Sequence, residues 1–266
     1  MLCMTAAANV TARASSHPER AAGNAEPLAG LTTAGVLAAP LESAAQQQAT
    51  AIPPVAHNLQ RHTFSKGEAL YHAGEEAATA FVIEACLVAL TLANVSDRQR
   101  VVALAGPGDV VGALAPNPLH HSTGAVALSG EVVARVLPLA ATDNDPAAPD
   151  QSRELAELLA AAAGDHIERL TWALEDSALP VPARLARALL RLGHRFGQHT
   201  ANGAVRLTLP ITHDTLAALV GAARETTTFT VQKLRNEGLL AGTRGRYQFD
   251  PEALAMYAHE AALAAR

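Results

Sequence analysis

From about Arg61 the chain alternates short apolar runs with breaks. The runs "TAFVIEACLVALTL", "RQRVVALA" and "GEVVARVLPL" are separated by Gly-, Asn- and Asp-containing punctuation. Breaks at roughly eight- to twelve-residue intervals predict many short strands in a sandwich or barrel. In this pattern "ANVSD" reads as a hairpin turn and Glu131–Leu139 as a late strand. From Gln151 the period becomes helical. Ala156, Ala160, Ala163, Ile167, Leu170 and Leu174 step alternately by four and three, as a coiled-coil seam does, and Leu155 and Leu159 widen the stripe. By pattern alone this seam serves an intramolecular core helix as well as a pair of helices from two chains. Pro180 and Pro182 break the chain, and "VPARLARALLRLGHRFG" starts a new helix with proline near its first turn.

The segment "ITHDTLAALVGAARETTTFTVQKL" carries the most chemistry. Thr212 is a candidate N-cap of an amphipathic helix through Leu216, Leu219 and Val220. Gly221 then stands where a tight turn needs a left-handed backbone, and a second helix starts near Ala223–Arg224. Helix, glycine turn, helix is the helix-turn-helix arrangement, whose second helix presents its N-terminal residues to the major groove. That explains an opening as polar as Arg-Glu-Thr-Thr-Thr. Arginine can pair with guanine O6 and N7, glutamate can accept from cytosine N4, and threonine hydroxyls suit phosphate oxygens. The base-reading candidates are Arg224, Glu225, Thr228 and Phe229; the phosphate candidates are Thr212, Thr226, Lys233, Arg244 and Arg246. Arg244 and Arg246 lie in a Gly/Arg-rich turn ahead of a strand at Arg246–Phe249, which reads as a wing.

Charge sharpens this division. The 266-residue chain has a net charge of −5, but residues 180–266 hold 11 Lys and Arg against 6 Asp and Glu, while residues 1–179 hold 9 against 19. A basic C-terminal part suits phosphate and an acidic remainder does not. The boundaries that follow are a low-complexity, mostly disordered extension over 1–57, a strand-rich segment over 58–145, a long helix over 151–178 and a winged helix-turn-helix over 180–266. Two distant cysteines, Cys3 and Cys86, exclude a disulfide framework and a four-thiolate metal or iron–sulfur site. No charged segment followed by a sustained apolar core opens the chain, and no apolar run approaches the roughly 18 residues of a membrane span, so a cytoplasmic setting without membrane contact is expected.

The quoted helix-turn-helix segment, followed by "GRYQFDPEAL", resembles the C-terminal end of the Crp/Fnr (cyclic-AMP receptor) family of transcription regulators. "SKGEALYHAGEEAATAFVIEACLVAL" and "LAGPGDVVGAL" resemble that family's β-roll sensor. The resemblance implies an α+β fold: an N-terminal β-roll of jelly-roll type, a long dimerisation helix and a C-terminal winged helix. It implies a homodimer paired along Ala163, Ile167, Leu170 and Leu174, a palindromic operator in double-stranded DNA, and RNA polymerase as a partner. It places Arg224 and Glu225 on base edges and Thr226 on phosphate. The sequence departs from the pattern at Phe229, where many relatives carry a second arginine, and at Thr227 and Thr230, where the family usually buries Val or Ile. A buried threonine hydroxyl needs an acceptor, and the carbonyl one turn back can serve.

The effector side departs further. Gly112, Ala113, Leu114, His121, Ser122 and Thr123 occupy the pocket, with Ala113 in place of the family's ribose-binding glutamate. No arginine lies between Arg100 and Arg135, and no carboxylate between Asp109 and Glu131. Without a fixed charge of bidentate geometry, cyclic AMP is not expected to bind as in relatives. Three sensor readings stay open: a pocket that has lost its ligand, a less charged small effector, or metal or haem held through His62, His72, His120 or His121. The alternative of a different class is a β-barrel metal- or haem-binding sensor or cupin-like enzyme carrying a helix-turn-helix. Its usual His-x-His plus Glu spacing is absent, as are Gly-x-Ser-x-Gly, His-Glu-x-x-His and Gly-x-x-x-x-Gly-Lys, so no catalytic or metal residue is assigned.

Overall fold

Strand pairing starts where the alternation starts. The computed structural model describes residues 52–92, 100–112, 120–139, 149–207, 209, 211–243 and 245–264, all within one unit, Leu41–Arg266. Two four-stranded antiparallel sheets form the β-roll. One has the order β1 (Arg61–Phe64), β8 (Val132–Pro138), β3 (Thr79–Ala85), β6 (Val110–Gly112); the other has β2 (Ala69–Tyr71), β7 (Gly124–Ala127), β4 (Val88–Leu92), β5 (Arg100–Ala105). Between them lie Phe64, Phe81, Ile83, Val88, Leu90, Val111 and Val132. The run "TAFVIEACLVALTL" divides at Cys86, whose φ of 69° turns the chain from the first sheet into the second. Alternation hides that break because β3 and β4 are each buried on both faces along most of their length.

The long helix α1 (Pro149–Ser177) has two working faces. Leu155, Leu159 and Ala162 pack on Val82, Val110 and Leu137 of the first sheet. Ile52, Val55, Ala56 and Leu59 join the same cluster, and Pro54–Ala56 forms a turn of 3-10 helix. The Arg135 guanidinium ties this turn down by donating to the carbonyls of Ala56 and His57. The chain therefore engages the fold before the boundary drawn after residue 57; residues 1–51 of that extension lie outside the described residues. Sparse apolar positions among Ala and Pro gave no period to read there.

A winged helix follows: α2 (Val181–Phe196), β9 (Gly197–His199), β10 (Val205–Leu207), α3 (His213–Val220), α4 (Arg224–Asn236), β11 (Ala241–Thr243), β12 (Arg246–Phe249) and α5 (Pro251–Leu263). Its core is continuous with the β-roll, since Ala89, Val101 and Leu104 of β4 and β5 share one cluster with Leu185, Leu189, Leu216, Val220 and Leu234. Asp109, in the turn before β6, accepts from Arg169 of α1 at 3.0 Å and from Arg195 of α2 at 2.5 Å. One carboxylate thus holds three elements together, and its geometry is fixed by the Gly106 amide at 2.7 Å. Asp176 does the same between α1 and α2 by pairing with Arg187 and Arg191.

The bend between α3 and α4 sits on Gly221, which has φ 60° and ψ 46°. A Cβ there would meet nothing nearer than 3.5 Å, so only the backbone conformation requires glycine. Gly221→Ala is expected to cost about 1–2 kcal/mol in urea unfolding and Gly221→Asn less, because left-handed strain acts without a clash.

Candidate nucleic-acid interface

The Thr212 hydroxyl accepts from the Thr215 amide at 3.1 Å, capping α3 as its position in the sequence suggested. The αL turn at Gly221 then sets α4 across α3. Thr227, Thr230, Val231 and Leu234 face inward and are buried. The two threonines are satisfied as anticipated: Thr227 donates to the Ala223 carbonyl at 3.0 Å and Thr230 to the Thr226 carbonyl at 2.8 Å. Each hydroxyl is therefore paired within its own helix, and the rest of the side chain packs like valine.

On the opposite side, Arg224, Glu225, Thr226, Thr228 and Phe229 are all exposed. Helical geometry places Glu225, Phe229, Gln232 and Asn236 along one stripe, with Arg224 and Thr228 on its margin toward α3. Phe229 is 71% exposed, a large apolar surface on a helix otherwise polar outside. Glu225 in the first turn also complements the helix dipole. Gln232, which donates to Asn236 at 3.0 Å, extends the outward stripe and had no sequence signal beyond its phase from Phe229.

Two residues of α3 that sequence reading passed over reach this surface. Asp214 lies 3.4 Å from the Arg224 Nε, with both side chains more than half exposed. Such a pair is weak and screened, so Arg224 is held in place at little cost to its release. The His213 Nδ1 lies 3.0 Å from the Thr228 hydroxyl. Both contacts depend on the angle between the helices, which residue spacing does not encode.

The phosphate candidates spread around this face. Thr226 opens α4, and Arg246 is exposed at the start of β12. Lys233 lies on the far margin of α4, 3.8 Å from Glu237 and 5.8 Å above the Tyr257 ring. Arg244 lies outside the described residues.

Within the β-roll, Gly112, His121 and Thr123 come together around Tyr71, while Ser122 is exposed and Ala113 and Leu114 lie outside the described residues. His121 stacks on Tyr71 with ring centroids 4.1 Å apart. The Tyr71 hydroxyl faces Thr123 and the Gly112 backbone without a well-formed hydrogen bond, and burial pushes its pKa up to about 12. His121 Nδ1 is likewise buried, with no partner among the described residues. The described part of this interior offers neutral hydrogen-bonding atoms and an aromatic stack. Among the described residues no group of three or more His, Cys, Asp or Glu is arranged to hold a metal ion. No described helix is long and apolar enough to cross a membrane.

A β-roll, a long helix and a winged helix with an exposed polar recognition helix define a DNA-binding transcription regulator. Comparison with known proteins agrees. Residues 61–144 match the cyclic nucleotide-binding domain and residues 183–257 the Crp-like helix-turn-helix domain. The chain is 30% identical over 182 residues to the CRP-like cAMP-activated global transcriptional regulator of Mycobacterium tuberculosis, spanning 66% of this chain and 78% of that protein. It is similar to a solved CRP/FNR-family transcriptional regulator from Thermus thermophilus, with 25% identity, a TM-score of 0.56, and coverage of 76% of this chain and 100% of that one. It shares the fold of FixK2 from Bradyrhizobium japonicum, with 19% identity, a TM-score of 0.61, and coverage of 76% and 96%. The chain belongs to the Crp/Fnr family of transcription regulators.

Three histidines carry a pH signature. Burial is the main cause lowering the pKa values of His121, His166 and His213; Arg169 adds to the effect at His166, and Arg235 and Arg224 at His213. Glu75 opposes it at His121 and Asp214 at His213. Their folded pKa values lie below the unfolded value of 6.5, so the unfolded chain binds more protons in that window. Stability is expected to be level above about pH 6.5 and to fall as the pH drops below it. Denaturant unfolding at pH 7.5, 6.5 and 5.5 checks this, and His213→Gln should flatten the slope.

Proposed function

We propose that the chain binds a two-fold symmetric operator as a homodimer through the first turns of α4, and that cyclic AMP does not control it. The exposed stripe of α4 carries this reading. It presents a bidentate cation at Arg224, an acceptor at Glu225 and an apolar ring at Phe229, while everything needed for packing is turned inward. Arg224 reads guanine, Glu225 reads the cytosine amine, and Phe229 meets a thymine methyl instead of making the second arginine contact of many relatives. Thr226, Arg246 and the capped start of α3 lie where phosphate contacts would set the register.

Support for the dimer comes from the second face of α1. Ile167 and Leu174 are 64% and 73% exposed, Ala156 and Ala160 are exposed, and small residues in the first half permit close approach. Leu170, counted with the seam, is half-buried against the β-roll core and sits at the edge between the two faces. The relative from M. tuberculosis is cAMP-activated. In this chain Thr123 and the Tyr71–His121 stack supply no charge to replace the missing arginine and glutamate, which supports a less charged effector or none.

Arg224→Ala is expected to weaken specific binding by about 1–3 kcal/mol and to relax choice at one base pair. Competition gel shifts at fixed salt, with and without cyclic AMP, check both parts. Unchanged discrimination would remove Arg224 from the reading set, and a tenfold gain with cyclic AMP would refute the effector reading. Ile167→Glu with Leu174→Glu should lower the dimer fraction in sedimentation, because like charges would meet across an apolar seam; an unaltered dimer would place the interface elsewhere.

A further inference from the structure

The arginines missing from the β-roll interior have counterparts between the sensor sheet and the winged helix. Arg100 opens β5 and Arg184 lies in the first turn of α2. Both reach the Gly221 turn: the Arg100 Nε and Arg184 Nη1 lie 3.5 and 3.6 Å from the point a Cβ on that glycine would occupy. The Nε atoms of both guanidiniums are buried and meet no acceptor among the described residues. Neighbouring carboxylates are already engaged, Asp176 by Arg187 and Arg191, and Asp109 by Arg169 and Arg195. Burial lowers the Arg184 pKa and the Arg100 charge lowers it further, against the opposing pull of Asp176. A cavity of about 60 Å³ opens here, lined by both arginines with Trp172 and Val220, and also by Asp176 and its partner Arg191. A single water needs roughly 10–15 Å³, so the space admits something larger.

Two like cations with unfilled donors around one cavity are costly unless an anion joins them. Guanidinium forks match the oxygens of a tetrahedral oxyanion. We propose that Arg100 and Arg184 form a binding site for a phosphate-type oxyanion, either free or carried by a small metabolite. Bound there, it bridges β5 of the sensor to α2 and the Gly221 turn, and so favours the docked arrangement of the helix-turn-helix. This regulatory consequence rests on the DNA-binding reading; the site itself does not.

The test is thermal unfolding of the full chain at matched ionic strength in chloride, in inorganic phosphate and in adenosine monophosphate. Wild type should gain about 3 °C or more in phosphate or in the nucleotide relative to chloride, and the larger gain identifies the source. Arg100→Gln and Arg184→Gln should each abolish that gain while unfolding in chloride no earlier than wild type, since each relieves one uncompensated charge. Equal Tm values in all three media would overturn the site, as would variants that keep the gain. Variants that unfold much earlier in chloride would make the arginines structural and overturn it too. Failure to find an operator in gel shifts would count against the DNA reading alone and leave the anion result standing.

Discussion

The outward face of α4 is set in place because one residue adopts a left-handed backbone conformation. At Gly221 the chain leaves α3, its amide capping the Ala217 carbonyl, and re-enters helix three residues later at Arg224. This fixes the angle at which α4 crosses α3, and with it the partition of α4 into two faces. The inward face closes the winged-helix core with Thr227, Val231 and Leu234. The outward face is left with groups a core cannot use: a guanidinium, a carboxylate, hydroxyls and an exposed phenyl ring. The same crossing brings His213 and Asp214 of α3 to Thr228 and Arg224, so side chains on the outward face of α4 meet partners from a second helix.

The winged helix is not a detached module. Its core runs into the outer face of β4 and β5, and Asp109 draws Arg169 and Arg195 onto the turn that leads to Gly112. A buried carboxylate shared by two arginines is expensive to strip of its partners, because a lone charge would be left behind. The β-roll turn is thereby tied to both α1 and α2. The described interior around Tyr71 and His121 lies beside this turn, with neutral polar atoms unfilled. The Arg100–Arg184 pair lies at the other end of the same junction, where positive charge is unfilled.

Much of this was legible in the chain because local rules carried it. Thr212 as a cap, Gly221 as an αL turn, α4 starting at Arg224 and a strand at Arg246–Phe249 each follow from residues within a few positions of one another. The hydroxyl bonds of Thr227 and Thr230 were legible for the same reason, since their acceptors lie one turn back. What stayed hidden depends on crossing angles and on sheets meeting. Cys86 splits a run with no glycine, proline or turn residue to mark the break. Leu170 belongs to the seam by period but leans on the β-roll by geometry. Asp109 finds its arginines 60 and 86 positions away and Asp176 finds its own 11 and 15 away, and only packing brings them together. Ile52 to Leu59 joined the core without any period to announce them.

The central claim is that α4 of each of two paired chains presents base-reading side chains to DNA. Selection of bound duplexes from a random library by the full-length chain tests it most directly. The account predicts an enriched palindrome whose half-sites lie about one helical turn, roughly 10 base pairs, apart. It also predicts a guanine in each half-site whose enrichment disappears when Arg224 is replaced by alanine. Recovery of unselected DNA, or of a motif indifferent to Arg224, would contradict it.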